Sequence, residues 1–302
     1  MSSEIAFTNT ALESFAALVT FVLLFACIAK IKMQRGIKHI TSKDAKRNTL
    51  DYILIIWLVI HMIVLTADVL SWTAMDFGKN EVWLLFMLNL TFTCLFLECM
   101  VYTYYVKETI YQHEMIGNTY VYLVMLSTVI AIILWITSDI SGKFYYLDTQ
   151  GNYSQGSMYW LCQFYCIIVM CGNIAILLKH RKALVRHDVL SLLMYGLIPI
   201  ASIPAQMLWK STTFNLATTL ALIYICISVH MAQYDRIVEQ EKLLIQQEHE
   251  LSMNQMQMMI AQIQPHFLYN SLTALAQLCS KDPKEAKKAI INFADYWRNL
   301  KS

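Results

Sequence analysis

Apolar residues fall along this chain in blocks. Seven of them, at about residues 11–31, 52–72, 82–106, 120–137, 158–178, 189–209 and 212–229, carry few charges and can each cross about 30 Å of hydrocarbon as a helix. From His230 the pattern changes. Residues 231–262 contain no Gly or Pro and are rich in Gln, Glu and Met. Ile237, Leu244, Leu251 and Met258 recur every seven residues, with Val238, Ile245 and Met259 beside three of them. The companion heptad positions hold Glu241 and Glu248, which weakens the seam. This pattern predicts a continuous helix that leaves the last span and pairs loosely with its copy in a dimer. A lone amphipathic helix lying on the bilayer is the alternative. The scarcity of basic residues there (Arg236 and Lys242) weighs against it.

Beyond residue 262 the punctuation changes again. Pro265 predicts the first residue of a new helix, where its missing N–H costs nothing. At about 100° per residue, Leu268, Leu272, Leu275 and Cys279 share one face, and His266, Asn270, Thr273 and Gln277 lie nearly opposite. The run from Ser280 to Glu285 predicts a break and a restart. Asp282 suits the cap, Pro283 the first helical position, and Glu285 the completion of a capping box. Ala286, Ile290, Phe293, Trp297 and Leu300 then form an apolar face able to pack on the leucines. Two such hairpins, one per subunit, make a four-helix bundle with His266 outside. The expected fold is all-α. It comprises a seven-helix transmembrane sensor domain over residues 1–230, a signalling helix or coiled coil over 231–262, and a dimerisation hairpin over 263–302.

Composition agrees, with 57% hydrophobic and only 15% charged residues. The charges orient the chain. The connection after the first span carries Lys32, Arg35, Lys38, Lys43, Lys46 and Arg47, with Lys30 just inside the span. The third connection has Lys107, and the fifth Lys179, Arg181, Lys182 and Arg186. On the opposite side stand only Lys79, Lys143 and Lys210. Positive charge marks the cytoplasm, which places the N-terminus outside and the residues from His230 inside a cell (plasma) membrane. Only Glu4, and no basic residue, precedes the first span, so no cleavable signal peptide is expected. None of the eight cysteines falls in an outer loop, so structural disulfides are not expected. Cys162, Cys166 and Cys171 share a span without a histidine, which reads as small apolar filler rather than a metal site.

Within the spans, Glu13 lies at the outer end of the first, where the interface can solvate it. His61 and Asp68 lie in the second and Glu98 in the third. Ionisable groups at such depth face a bundle interior or a wet cavity, and for each alone a structural bond between helices is the favoured reading. As a set, Asp68, Asn89, Gln163, Gln206 and Asn215 fall in the outer halves of their spans and suggest one ligand pocket open to the outside. The outer loop 138–157, rich in Tyr, Gly and Ser, can lid such a site or coat the membrane interface. It includes a glycosylation sequon at Asn152. Pro199 and Pro204 predict a bend in the sixth span. The seventh span has no lysine, which argues against a retinal Schiff base.

His266 carries the chemistry. A neutral imidazole is a nucleophile at ordinary pH, and Asn270 stands one helical turn on. The stretch Gln264-Pro265-His266-Phe267-Leu268-Tyr269-Asn270-Ser271-Leu272 resembles the phosphoacceptor box of LytS-type sensor histidine kinases. Residues 290–298 resemble the helix that follows it in those proteins. The resemblance covers about residues 262–300 and implies a bacterial two-component phosphorelay. His266 would take a phosphoryl group and pass it to an aspartate of a cytoplasmic response regulator. Asn270 would orient the ring or a dephosphorylating water. Phe267 stands where many other histidine kinases carry an acidic residue, so the group that steers the ring proton is not identified.

The chain has no glycine after Gly196, and neither an ATP-lid segment nor an asparagine-rich ATP box is found. ATP and Mg2+ are therefore expected to be bound outside this chain, on an ATP-binding domain in cis or a partner kinase in trans. Membrane lipids and a second copy of the chain are the other expected partners, and nucleic acid is not among them. Two further readings compete. One is a kinase-dead receptor that tunes another kinase. The other is a small-molecule or ion transporter that uses His61, Asp68 and Glu98 as a relay, with the tail as a regulatory helix.

Overall fold

The computed structural model describes residues 3–35, 42–77, 81–111, 117–147, 153–209 and 213–299. Asn152, Lys79 and Lys210 lie outside them. The chain forms two compact units, Met1–Met231 and Ala232–Ser302. The first contains α1 (Ser3–Arg35), α2 (Ser42–Phe77), α3 (Glu81–Tyr111), α4 (Thr119–Ile136), α5 (Ser138–Ser141), β1 (Tyr145–Leu147), β2 (Tyr153–Gln155), α6 (Trp160–His180) and α7 (Arg186–Trp209). It also holds the start of α8 (Thr213–Lys281), whose remainder belongs to the second unit with α9 (Pro283–Asn299). Among the described residues seven helical segments are long and apolar enough to cross a membrane. The protein is all-α and of membrane type, as the block pattern predicts.

Burial in the first unit follows helix faces. On α1 the buried positions are Asn9, Glu13, Ala16, Thr20 and Cys27, one stripe, while Phe15, Phe21 and Phe25 are exposed. A helix that is apolar all round and buried on one stripe presents the rest to lipid. The main core centres on Trp57, fully buried against Tyr195 (4.5 Å between ring centroids), Tyr102 (5.7 Å) and Tyr105 (5.6 Å). A second core surrounds Trp135, stacked on Phe92 at 3.7 Å and close to Tyr145 at 4.7 Å.

The second core explains the outer loop, for which sequence patterning gave no strands. Tyr145 pairs with Gln155 and Leu147 with Tyr153 in a small antiparallel hairpin. Ser138 pins it: its Oγ accepts from the Phe144 and Tyr145 amides and donates to the Tyr145 carbonyl. Gly142 closes α5 with φ +64°. At Gly156 a Cβ would meet the Lys143 carbonyl oxygen at 2.2 Å, so no larger residue fits the turn.

Two expectations are corrected. Pro265 does not start a helix; it lies inside α8. An interior proline costs about 3 kcal/mol, but Gln, Met, Ala and Leu on either side all favour continuation. Glu13 is not solvated at an interface: it is fully buried. Pro199 and Pro204, where a bend is expected, lie inside α7.

In the second unit the heptad residues of α8 are outside. Ile237, Leu244, Leu251 and Met258 are all 58–59% exposed, as is Ile245. The Met259 side chain lies outside the described residues. At the break, the Asp282 carboxylate accepts from the Lys284 and Glu285 amides, the predicted cap. The capping box is not completed by Glu285, because the Asp282 amide already donates to the Leu278 carbonyl at 2.8 Å.

Candidate functional site

The phosphoacceptor candidate is built on the last third of α8. Phe267 meets Phe293 of α9 at 6.2 Å. Leu268, Ser271, Leu275 and Leu278 are partly covered, and Ala286 of α9 is fully buried. The covered face is thus rotated from the expected one: Leu272 and Cys279 stay exposed, and so does Ile290 of α9. The phenylalanine pair sets that rotation, drawing position 267 toward α9. The Trp297 side chain and Leu300 lie outside the described residues. His266, Asn270, Thr273 and Gln277 are exposed together, as the periodicity predicts. The Asn270 amide nitrogen stands 3.3 Å from His266 Nδ1 and 3.4 Å from Nε2. It can donate to one ring nitrogen at a time, and a neutral imidazole has one lone pair to accept with. The arrangement is an open nucleophile with an adjustable amide beside it.

The candidate sensing residues divide. Asp68 and Asn215 come together: Asn215 Nδ2 donates to Asp68 Oδ2 at 2.8 Å and to Glu13 Oε1 at 3.0 Å. Gln163 donates to the Tyr159 hydroxyl at 3.4 Å, and Tyr159 bonds Tyr153 of the hairpin. Asn89 belongs elsewhere. Its amide donates to Asp139 at 3.0 Å, its oxygen accepts from Tyr145 at 2.9 Å, and Tyr145 also bonds Asp139. Burial first, then Asp139, pushes the Tyr145 phenol up, and burial pushes up Tyr153, so both remain proton donors. Gln206 is half-buried, with an Oε1 that makes no hydrogen bond among the described residues. Hydrogen bonds thus join Asp68 to Asn215, Gln163 to Tyr159, and Asn89 to Asp139 and Tyr145.

His61 is fully buried with both ring nitrogens engaged. Nδ1 meets Glu98 Oε1 at 2.8 Å and Nε2 meets Thr219 Oγ1 at 2.8 Å. The bond between helices favoured for each residue singly is what forms here. Sequence reasoning missed Thr219 and put Glu13 at the interface rather than in the bundle. The stripe Asn9-Glu13-Ala16-Thr20, small or polar at helical spacing on a helix of large apolar residues, was the available signal for Glu13. Thr219 gave none, because threonines are unremarkable in a span. All eight cysteines are free, and among the described residues no group of three or more His, Cys, Asp or Glu is placed to hold a metal.

Residues 254–301 match the sequence model of the family described as Histidine kinase. No curated protein matches the chain. The match supports a histidine-kinase-type signalling function, carried by a multi-pass membrane protein.

Proposed function

We propose that this chain is a LytS-type sensor histidine kinase of a bacterial phosphorelay, with His266 as its phosphoacceptor. One observation carries the reading. Within the matched segment His266 is exposed, on the side of α8 that also presents Asn270, and it has the Asn270 amide in hydrogen-bond reach of its ring. ATP is the substrate, held outside the residues described. A ring nitrogen of His266 attacks the γ-phosphorus, an N–P bond forms, the bond to ADP breaks, and the ring loses its N–H proton. Transfer to a regulator aspartate then breaks N–P and forms an acyl phosphate. Asn270 orients the ring or a dephosphorylating water, and the ring attacks when its one lone pair is free of the amide.

The exposed heptad stripe of α8 supports a homodimer, because apolar residues at that spacing lose water when they meet their copies. The basic connections support an external N-terminus and a cytoplasmic His266. The test uses membranes holding the full chain, labelled ATP with Mg2+, and a kinase ATP-binding domain in cis or in trans. Wild type should acquire acid-labile, alkali-stable label, and His266→Gln should acquire none. Asn270→Ala should keep the label and change its rate of formation or loss. Wild-type labelling of His266→Gln would end the reading.

A further inference from the structure

The first unit contains a polar seam that the phosphoacceptor chemistry does not use. It begins at two acidic side chains from different helices. Glu13 of α1 is fully buried, and Asp68 lies on α2. Both carboxyls accept from the one Asn215 amide nitrogen of α8, at 3.0 and 2.8 Å, which brings them side by side. Two carboxylates held on one donor in a buried site repel each other, and a proton shared between them relieves that repulsion. Ser71 Oγ lies 3.4 Å from Asp68 Oδ1.

The seam continues along α8. The Asn215 carbonyl accepts from Thr219 Oγ1 at 2.8 Å, and that oxygen also meets His61 Nε2, whose ring is bound to Glu98 of α3. One turn of α8 therefore touches Glu13 of α1 and Asp68 and His61 of α2 at two successive levels, with Glu98 of α3 behind His61. The other titratable groups around the seam are Tyr153 and Tyr159 beside Asp68, and Cys94, Cys99 and Tyr195 near Glu98. Burial keeps Tyr153 and Tyr159 protonated. Of the groups at the first level, the carboxyls are the intrinsically acidic pair.

The couple lies toward the end of the bundle where α1 and α8 begin and α2 ends. On the charge-derived orientation that end is external. The helix it grips is the one whose sequence runs on to His266. We propose that the Glu13–Asp68 couple is a proton switch that sets the hold of α1 and α2 on α8, so that external pH is an input to the chain. With one proton in place the two carboxyls and Asn215 close a three-helix knot. Loss of the proton to the outside leaves two negative charges in contact, and the knot opens. This rests on the kinase reading only for its output, so the test has one readout that needs no kinase.

Infrared difference spectra of the full-length protein in vesicles, recorded across external pH, should show a protonated-carboxyl C=O band that disappears as pH rises. Asp68→Asn and Glu13→Gln, which keep shape and remove the shared proton, should each abolish that band while insertion and cofactor-free folding stay intact. A band absent in wild type, or unchanged in both variants, would overturn the switch whatever the kinase assay gives. The second readout is His266 labelling against external pH. Wild type should change severalfold, and Asp68→Asn should give a flat profile. Asn215→Ala should keep the band but flatten the profile. A variant profile that follows wild type would overturn the link to α8. A band that titrates normally beside wild-type membranes that never label would count against His266 and not against the switch.

Discussion

The two units are opposites in what they hide. The membrane unit buries charge-bearing side chains and partners them: His61 with Glu98 and Thr219, Glu13 and Asp68 with Asn215. The second unit exposes leucines and methionines along α8, and among its described residues few are buried, Ala286 being one. Exposure has a different meaning in each. On α1 and α4 exposed Phe and Leu need only lipid, whereas the same residue types at heptad spacing need another helix. Stability in the first unit comes from contacts between distant segments. In the second it rests on local signals and, on the dimer proposed above, on a partner copy.

The largest expected effect breaks the first half of that contrast. His61→Leu strips Glu98 of its buried partner, and removing one member of such a pair costs about 3–5 kcal/mol. The thermal midpoint of the detergent-solubilised protein should fall clearly. Glu98→Leu should do the same. The double variant should recover much of the loss, since two apolar side chains leave no unpaired group. Additive losses would mean that the two residues do not act as a pair.

The next effect attacks the other half. Leu251→Asp places charge in the α8 stripe and removes a leucine worth roughly 1.5–3 kcal/mol when buried against a copy. Cross-linking between copies in membranes should drop, while the melting of the first unit stays put. Unchanged cross-linking would show that the stripe serves something other than a second copy.

These contrasts also mark what the sequence could reveal. Long apolar blocks and the heptad stripe were legible because their signal is periodic and summed over many residues. The Asp282 cap was legible because capping is a local matter of a few residues. The grouping of Asp68 with Glu13, and of Asn89 with Asp139 instead, was not, because depth in a span says nothing about which helix stands opposite. The hairpin of β1 and β2 escaped for a similar reason: its strands are three residues each and are held by Ser138 and the Trp135 core rather than by any alternating pattern. Pro265 misled because a single-residue preference was weighed against helix formers on both sides.

A smaller effect sharpens the picture of close packing in the first unit. Gly156→Ala drives a methyl into the Lys143 carbonyl at 2.2 Å. Overpacking of this kind costs about 1–3 kcal/mol. Protease cleavage within the hairpin should accelerate, with little change in the spans. Gly117→Ala, where a Cβ meets nothing within 4 Å, is the control and should be neutral. Equal effects at both glycines would mean that the turn is not under this constraint.

The smallest effect tests whether local signals matter more in the second unit. Asp282 accepts from the Lys284 amide at 3.0 Å and the Glu285 amide at 3.1 Å, so it satisfies donors that no helical carbonyl can reach. Asp282→Ala should cost about 1 kcal/mol and raise hydrogen exchange at those two amides. Asp282→Asn should stay near wild type, because an amide oxygen accepts the same bonds. The first unit supplies the comparison. Asn118 stands at the N-cap of α4 and makes no side-chain cap bond, although its residue type is as good a cap as Asp. Asn118→Ala should therefore leave exchange in the first turn of α4 unchanged. The two substitutions share a chemistry and differ only in whether the bond is made. Equal protection loss at α4 and α9 would mean that residue type decides the cap in both units, and the contrast between packed and locally held helices would fail there.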